Sequence, residues 1–176
     1  MEPEPDPERR RRVFFALWPD TATTVSLVRA TRRAVRLSGG RPIAKERLHI
    51  TVAFMGELTE AELAQARSAV PVQTGAFDLA LDMLGFWPES RVLMLAPRVV
   101  PPVLRDLERR LWEALEQHGF KREPRIYRPH MTLARRARAV EEPVAAVLWR
   151  VEDLALVESL PAGRSVHYEV LQRWPL

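Results

Sequence analysis

Two segments of this chain repeat one pattern: His49-Ile50-Thr51-Val52-Ala53 and His130-Met131-Thr132-Leu133-Ala134. Each runs His, apolar, Thr, apolar, Ala, and together they use two of the four histidines. Alternation over a short run predicts a half-buried β-strand, because successive side chains leave opposite faces. Ile50 and Val52, like Met131 and Leu133, then face a core. His49, Thr51 and Ala53 share the other face, as do His130, Thr132 and Ala134. Each strand therefore presents an imidazole beside a hydroxyl. The small Ala53 and Ala134 side chains are expected to extend those faces as a floor for a ligand.

The surrounding pattern predicts what these strands pack against. Val13 to Leu17 is a short apolar run read as a buried strand. Asp20 to Leu37 carries Val25, Val28 and Val35 on a helical stripe that ends at Gly39-Gly40. The first histidine strand is expected over Leu48–Phe54. Thr59 and Glu62 have capping-box spacing and open a helix with Leu63, Ala66 and Val70, stopping at Pro71. Phe77 to Leu84 alternates and is expected to be one strand, followed after a Pro88 turn by Arg91 to Ala96. Pro101-Pro102 starts a helix with Leu104, Leu107, Leu111 and Leu115 on one face and Gly119 as its stop. His130 to Arg135 forms the second histidine strand. Glu152 to Ser159 and Val166 to Arg173 pair around Pro161-Ala162-Gly163. Strand, helix, histidine strand thus occurs twice, which suggests two similar lobes facing each other.

Composition narrows the chemistry. The chain has 176 residues, 47% apolar, enough for one domain with a sizeable core. It has no cysteine, which excludes a disulfide framework, a thiolate nucleophile and Cys-based metal sites. The net charge is +4, and only Lys45 and Lys121 are lysines, so arginine carries the excess. Arginine's planar fork suits phosphate, and a polyanionic partner fits; drift toward arginine accounts for the composition equally well. Residues 1–11 read as an acidic, proline-rich tail running into the basic Arg9–Arg12, and residues 12–176 as a single domain. The Val13–Trp18 run is too short for a signal core or a membrane span, so a cytoplasmic protein without membrane attachment is expected.

Histidine exchanges protons near neutral pH. Two imidazoles bracketing one phosphorus can act as base and acid, one taking a proton from water and the other giving one to the departing oxygen. Thr51 and Thr132 hydroxyls can donate to the non-bridging oxygens, where negative charge develops. This scheme needs no metal or other cofactor, and the motifs lack a third ligand in metal-binding spacing. Among the other candidates, His118 is placed to cap its helix C-terminus, and His167 is read as a packing residue. Trp18, Phe54, Trp87 and Tyr168 are read as core aromatics with the capacity to stack on a base. Glu46 and Glu57 flank the first strand out of register with its histidine.

The paired motifs resemble the HxTx signatures of the two-histidine phosphoesterase superfamily. The chain resembles most the RNA 2′,3′-cyclic phosphodiesterases, also called 2′-5′ RNA ligases. The likeness extends through Arg12–Asp20 (RVFFALWPD), Glu46–Leu58, Tyr127–Arg135 (YRPHMTLAR), Leu156–Gly163 and Tyr168–Leu176. It implies a bilobal α+β fold, in which two antiparallel sheets form a central cleft with helices outside. It also implies hydrolysis of a 2′,3′-cyclic phosphate at an RNA end to a 2′-phosphate, with 2′-5′ joining as the reverse. Carried over, His49 is the proton donor to O3′, His130 the acceptor from water, and Thr51 and Thr132 the phosphate-binding hydroxyls. Nothing in the residues themselves assigns which imidazole does which. The family also carries an arginine at the position of Arg135. Strict alternation aims Arg135 away from the site, and only a strand end or bulge after Ala134 would return it; Arg136 is the rival. A monomer is expected. The alternatives are a non-catalytic RNA-binding module, and the same chemistry on a small nucleotide.

Overall fold

The computed structural model describes residues 9–70, 74–163 and 165–176. The chain runs β1 (Arg11–Leu17), α1 (Thr21–Leu37), β2 (Arg41–Pro42), a 3-10 turn (Lys45–Arg47), β3 (Ile50–Leu58), α2 (Glu60–Ser68) and β4 (Phe77–Leu81). It continues through β5 (Met83–Trp87), β6 (Val92–Ala96), α3 (Pro102–Gln117), β7 (Met131–Arg135), β8 (Val147–Val151), β9 (Asp153–Ala162) and β10 (Ser165–Pro175). Eight strands follow the order β10-β9-β1-β3-β7-β6-β5, with β2 on the side of β7; β4 and β8 form a separate pair. Every pairing is antiparallel.

The eight strands divide into two halves. β1 pairs with β3, and β6 pairs with β7, through several residues each. Between β3 and β7 the ladder holds a single pair, Ile50 with Met131. The spatial order β1-β3-β7-β6 is symmetric about that pair, and each side reads strand, helix, histidine strand along the chain. The repeat suspected from sequence is thus a pseudo-twofold relation between two lobes, and the α+β fold with its two antiparallel arrays is as expected.

Local chemistry explains the helices. Asp20 caps α1 by accepting from the Thr23 backbone N–H at 2.6 Å. Thr59 and Glu62 close the capping box of α2. Pro102 opens α3, and Leu104, Leu107, Leu111 and Leu115 line its buried face. His118 caps that helix, its Nδ1 donating to the Ala114 carbonyl at 3.0 Å.

Several expectations need correction. The buried stripe of α1 is Leu27, Thr31 and Ala34, whereas Val25 is 59% exposed and Val28 38%. Thr31 tolerates burial because its hydroxyl donates to the Leu27 carbonyl at 2.8 Å. Phe77–Leu84 is two strands rather than one. It breaks at Asp82, whose carboxylate accepts from the Arg98 backbone N–H at 2.8 Å; β4 then pairs with β8 and β5 with β6. β2 and β8 had no counterpart in the sequence reading. β1 opens at Arg11, whose guanidinium reaches the buried Glu158 at 2.5 Å and Glu60 at 3.2 Å. The acidic stretch before Arg9, and Pro71 as a helix stop, lie outside the described residues.

Leu111 is fully buried under the central sheet, so Leu111→Ala should lower unfolding free energy by about 2–5 kcal/mol. Leu148→Ala, at a position 76% exposed on β8, should change it by less than about 0.5 kcal/mol. Denaturant titration of both variants measures the contrast.

Candidate active site

The register about Ile50 and Met131 brings the two motifs together. In an antiparallel ladder, one step either way from that pair sets His49 across from Thr132 and Thr51 across from His130. The two motifs therefore run past each other in opposite directions. Neither histidine belongs to its strand: β3 starts at Ile50 and β7 at Met131, so each ring sits at the mouth where the lobes diverge. His49, Thr51, His130 and Thr132 all line one cleft of about 1260 Å³.

Both rings are held in the same way. His49 Nδ1 lies 2.7 Å from the Arg47 carbonyl, and His130 Nδ1 lies 2.8 Å from the Arg128 carbonyl, each two residues upstream. A carbonyl only accepts, so Nδ1 carries the proton in the neutral ring and Nε2 keeps its lone pair for the cleft. Aromatic walls fix the rings further. Trp18 stacks on His49 with centroids 5.0 Å apart and planes 3° apart, while Phe14 and Tyr168 contact the same ring at 5.0 and 5.3 Å. Trp87 meets His130 edge-on at 4.3 Å. Of the four aromatics read as core, Phe54 is 42% exposed in the cleft, beneath the Arg12 guanidinium at 5.1 Å.

Burial pulls the His49 imidazole from 6.5 down to about 4. The Arg47 carbonyl opposes that shift, and the charges of His130 and Arg135 add to it. His130 is lowered for the same reasons, burial first, with its Arg128 carbonyl opposing and Arg135 adding. Both rings are thus neutral in the empty cleft at neutral pH, and an anion arriving beside them favours protonation.

Alternation fails at one matched place in each motif. On β3, Ala53 faces Phe15 and Thr51 faces Ala16, so Val52 is an extra residue; on β7, Ala134 faces Leu93 and Thr132 faces Met94, so Leu133 is extra. These are β-bulges, each at the third residue after the histidine. They change the expected floor: Ala134 turns into the core at 0% exposure, whereas Ala53, at 2%, lies off the cleft in the wall of a second, adjoining cavity. Beyond each bulge the next residue returns to the cleft side, Phe54 in one lobe and Arg135 in the other. The feature that Arg135 required is therefore present, one residue earlier than supposed. Arg136 also lines the cleft, at the strand exit with φ of 54°. Arg135 is the arginine whose charge acts on both imidazoles.

The cleft is strongly cationic. Arg9, Arg10 and Arg12 reach it from the start of β1, and Arg41 and Arg47 from the chain before β3. Arg47 is steered by donating to Ser165 Oγ at 3.0 Å. The basic run that the sequence left as a solvated tail is therefore part of the wall. His167 is exposed and off the cleft, which corrects its assignment to packing, and Glu46 is exposed beside Lys45. Glu57 is a cleft residue. Among the described residues no three metal-ligating side chains cluster, and no helix is long and apolar enough to cross a membrane.

Comparison with known proteins agrees with this geometry. Residues 18–162 match the family described as the 2′-5′ RNA ligase superfamily. The chain is 32% identical over 170 residues to an RNA 2′,3′-cyclic phosphodiesterase of Escherichia coli, covering 94% of this chain and 97% of that one. Its fold superposes on the crystal structure of Escherichia coli LigT in apo form with a TM-score of 0.87 at 29% identity, covering 96% and 98% of the two chains. The LigT complex with 3′-AMP gives the same TM-score, at 28% identity and 96% and 99% coverage. With paired histidine motifs, a two-lobed fold and a match across most of its length, the chain belongs to the 2′-5′ RNA ligase superfamily.

Proposed function

We propose that this protein hydrolyses 2′,3′-cyclic phosphate ends of RNA to 2′-phosphates by acid–base catalysis between His49 and His130. One observation carries the reading. Two imidazoles, each clamped at Nδ1 by its own chain and without a hydrogen bond at Nε2 among the described residues, share an arginine-lined cleft with two hydroxyls. The matching relatives named RNA 2′,3′-cyclic phosphodiesterase support the same activity.

The phosphate binds near Arg135, with Thr51 and Thr132 donating to its non-bridging oxygens. His130 Nε2 takes a proton from the attacking water. The P–O3′ bond breaks as protonated His49 Nε2 gives its proton to O3′, and the P–O2′ bond stays. The negative phosphate restores basicity to a donor that burial has depressed, so the acid arms itself as substrate binds. Preorganised hydroxyls and Arg135 meet the developing charge without reorganising. An RNA-binding module would use the arginines but has no need of two oriented imidazoles. A site confined to mononucleotides would leave Arg9 and Arg10 without a task.

With RNA ending in a cyclic phosphate, in EDTA, His49→Ala and His130→Ala should each lower kcat by about 10²–10⁴. Circular dichroism should show both folded, and salt-sensitive RNA binding should persist. Full turnover in either variant would reject the paired scheme.

The pH dependence has a defined sign. Free His49 titrates near 4, so kcat/KM should be greatest on the acid side of neutrality and decline as the donor loses its proton. Bound phosphate raises the donor, so the alkaline limb of kcat should lie at higher pH than that of kcat/KM. Coincident limbs in the two profiles would contradict substrate-assisted protonation.

A further inference from the structure

The chain leaves β7 through Arg135-Arg136-Ala137-Arg138, and further arginines converge on that exit. Arg91 ends the hairpin loop before β6. Its Nε donates to the Ala137 carbonyl and its Nη2 to the Arg136 carbonyl, both at 3.3 Å, and the Ala137 backbone N–H donates back to the Arg91 carbonyl at 2.9 Å. Arg138 Nε donates to the Leu37 carbonyl at 3.2 Å, which sets the end of α1, with the exposed Arg36, beside the exit. Carbonyls steer these guanidinium forks without neutralising them. Among the described residues no carboxylate pairs with Arg36, Arg91, Arg136 or Arg138, whereas Arg33 on α1 is paired with Glu142 at 2.8 Å. Exposed like charges gathered this way set up a field that favours a polyanion.

Backbone strain marks the same residues. Arg91 and Arg136 have φ of 52° and 54°, and among the described residues only glycines share that sign. Glycine or asparagine would adopt this conformation more easily, so a long cationic side chain kept there points to a task for it. The first lobe carries a matching device. Arg10, just before β1, donates to the Glu57 carbonyl near the end of β3 at 3.4 Å; Arg91, just before β6, does the same just past the end of β7. Arg10, Arg135 and Arg136 line the cleft, while Arg91 and Arg138 stand outside it. The cationic wall therefore continues out of the cleft past the end of β7.

Resting on the function proposed above, we propose that this exit binds the RNA backbone on the 5′ side of the reacting end. The cyclic phosphate beside Arg135 is the last phosphate of its chain. The preceding phosphodiesters pass Arg136 and meet Arg91 and Arg138, whose unused guanidinium N–H groups suit non-bridging oxygens. A cyclic mononucleotide is too short to make these contacts, so the site acts on the binding of longer RNA and leaves the chemical step alone.

The test measures kcat and KM of the full chain on cytidine 2′,3′-cyclic phosphate and on lengthening oligonucleotides that end in the same group. For the wild-type protein kcat/KM should rise with length, and the gain should shrink as salt is added. Arg91→Asn, which suits the backbone, and Arg138→Gln should each lower kcat/KM on long RNA by about three- to tenfold, through KM, and reduce the salt slope by about 0.7. Hydrolysis of the cyclic mononucleotide should be unchanged in both. Arg91→Asn decides the matter if Arg138→Gln unsettles the end of α1. Equal losses on the mononucleotide and on long RNA would overturn the inference, since the arginines would then only support β7. So would a wild-type kcat/KM independent of length, or variants that keep the full preference for long RNA. A wild-type protein that hydrolyses no cyclic phosphate of any length would instead reject the parent reading, and this inference with it.

Discussion

The site depends on one backbone pair. Ile50 and Met131 face each other where two four-stranded halves meet, and no further pair joins β3 to β7. Both side chains are fully buried, so the contact is anchored in the core. A longer ladder would close the sheet and leave no room above it; no pairing at all would let the lobes drift apart. A single antiparallel pair does something else again. It crosses the two motifs, so that both imidazoles and both hydroxyls line one cleft. An acid–base pair built this way is symmetric in position, and the environment must make it asymmetric in role.

That environment is unequal. Three aromatic rings surround His49 and one meets His130. Burial among them depresses the imidazolium, and nearby arginine charge adds to the effect. The same arginines attract phosphate. Under the proposed mechanism the free protein disfavours the proton that a His49 donor needs, and the anionic substrate reverses the balance. The bulges add a second asymmetry at matched positions: an arginine reaches the cleft from one lobe and a phenylalanine from the other.

The network around Arg11 shows how the cationic wall is supported. Alternation at the start of β1 sends Arg10 and Arg12 toward solvent and the cleft, and turns Arg11 inward. There it neutralises the buried Glu158 and ties β1 to β9 and to the start of α2. A buried carboxylate without that partner would cost several kcal/mol. One basic run therefore serves both stability and substrate attraction.

Much of this was legible in the residues. The repeated motif, its strand setting and the capping signals at Thr59 and Pro102 are local properties, governed by side-chain alternation and by hydrogen bonds to near neighbours. They singled out His49, Thr51, His130 and Thr132 as candidates, which the fold gathers in one cleft, and with them the two-lobed order. What alternation could not show was where it breaks. The adjacent apolar pairs Val52-Ala53 and Leu133-Ala134 are the trace of the bulges, yet whether a residue is extra is settled by its partner strand. The direction of Arg135, the burial of the two alanines, the stacking of Trp18 on His49 and the crossing of the motifs all depend on contacts between residues far apart in the chain. The sequence by itself determined which groups are candidates for the chemistry; only the tertiary structure decided how they face one another, because pairing register is a property of two strands and never of one.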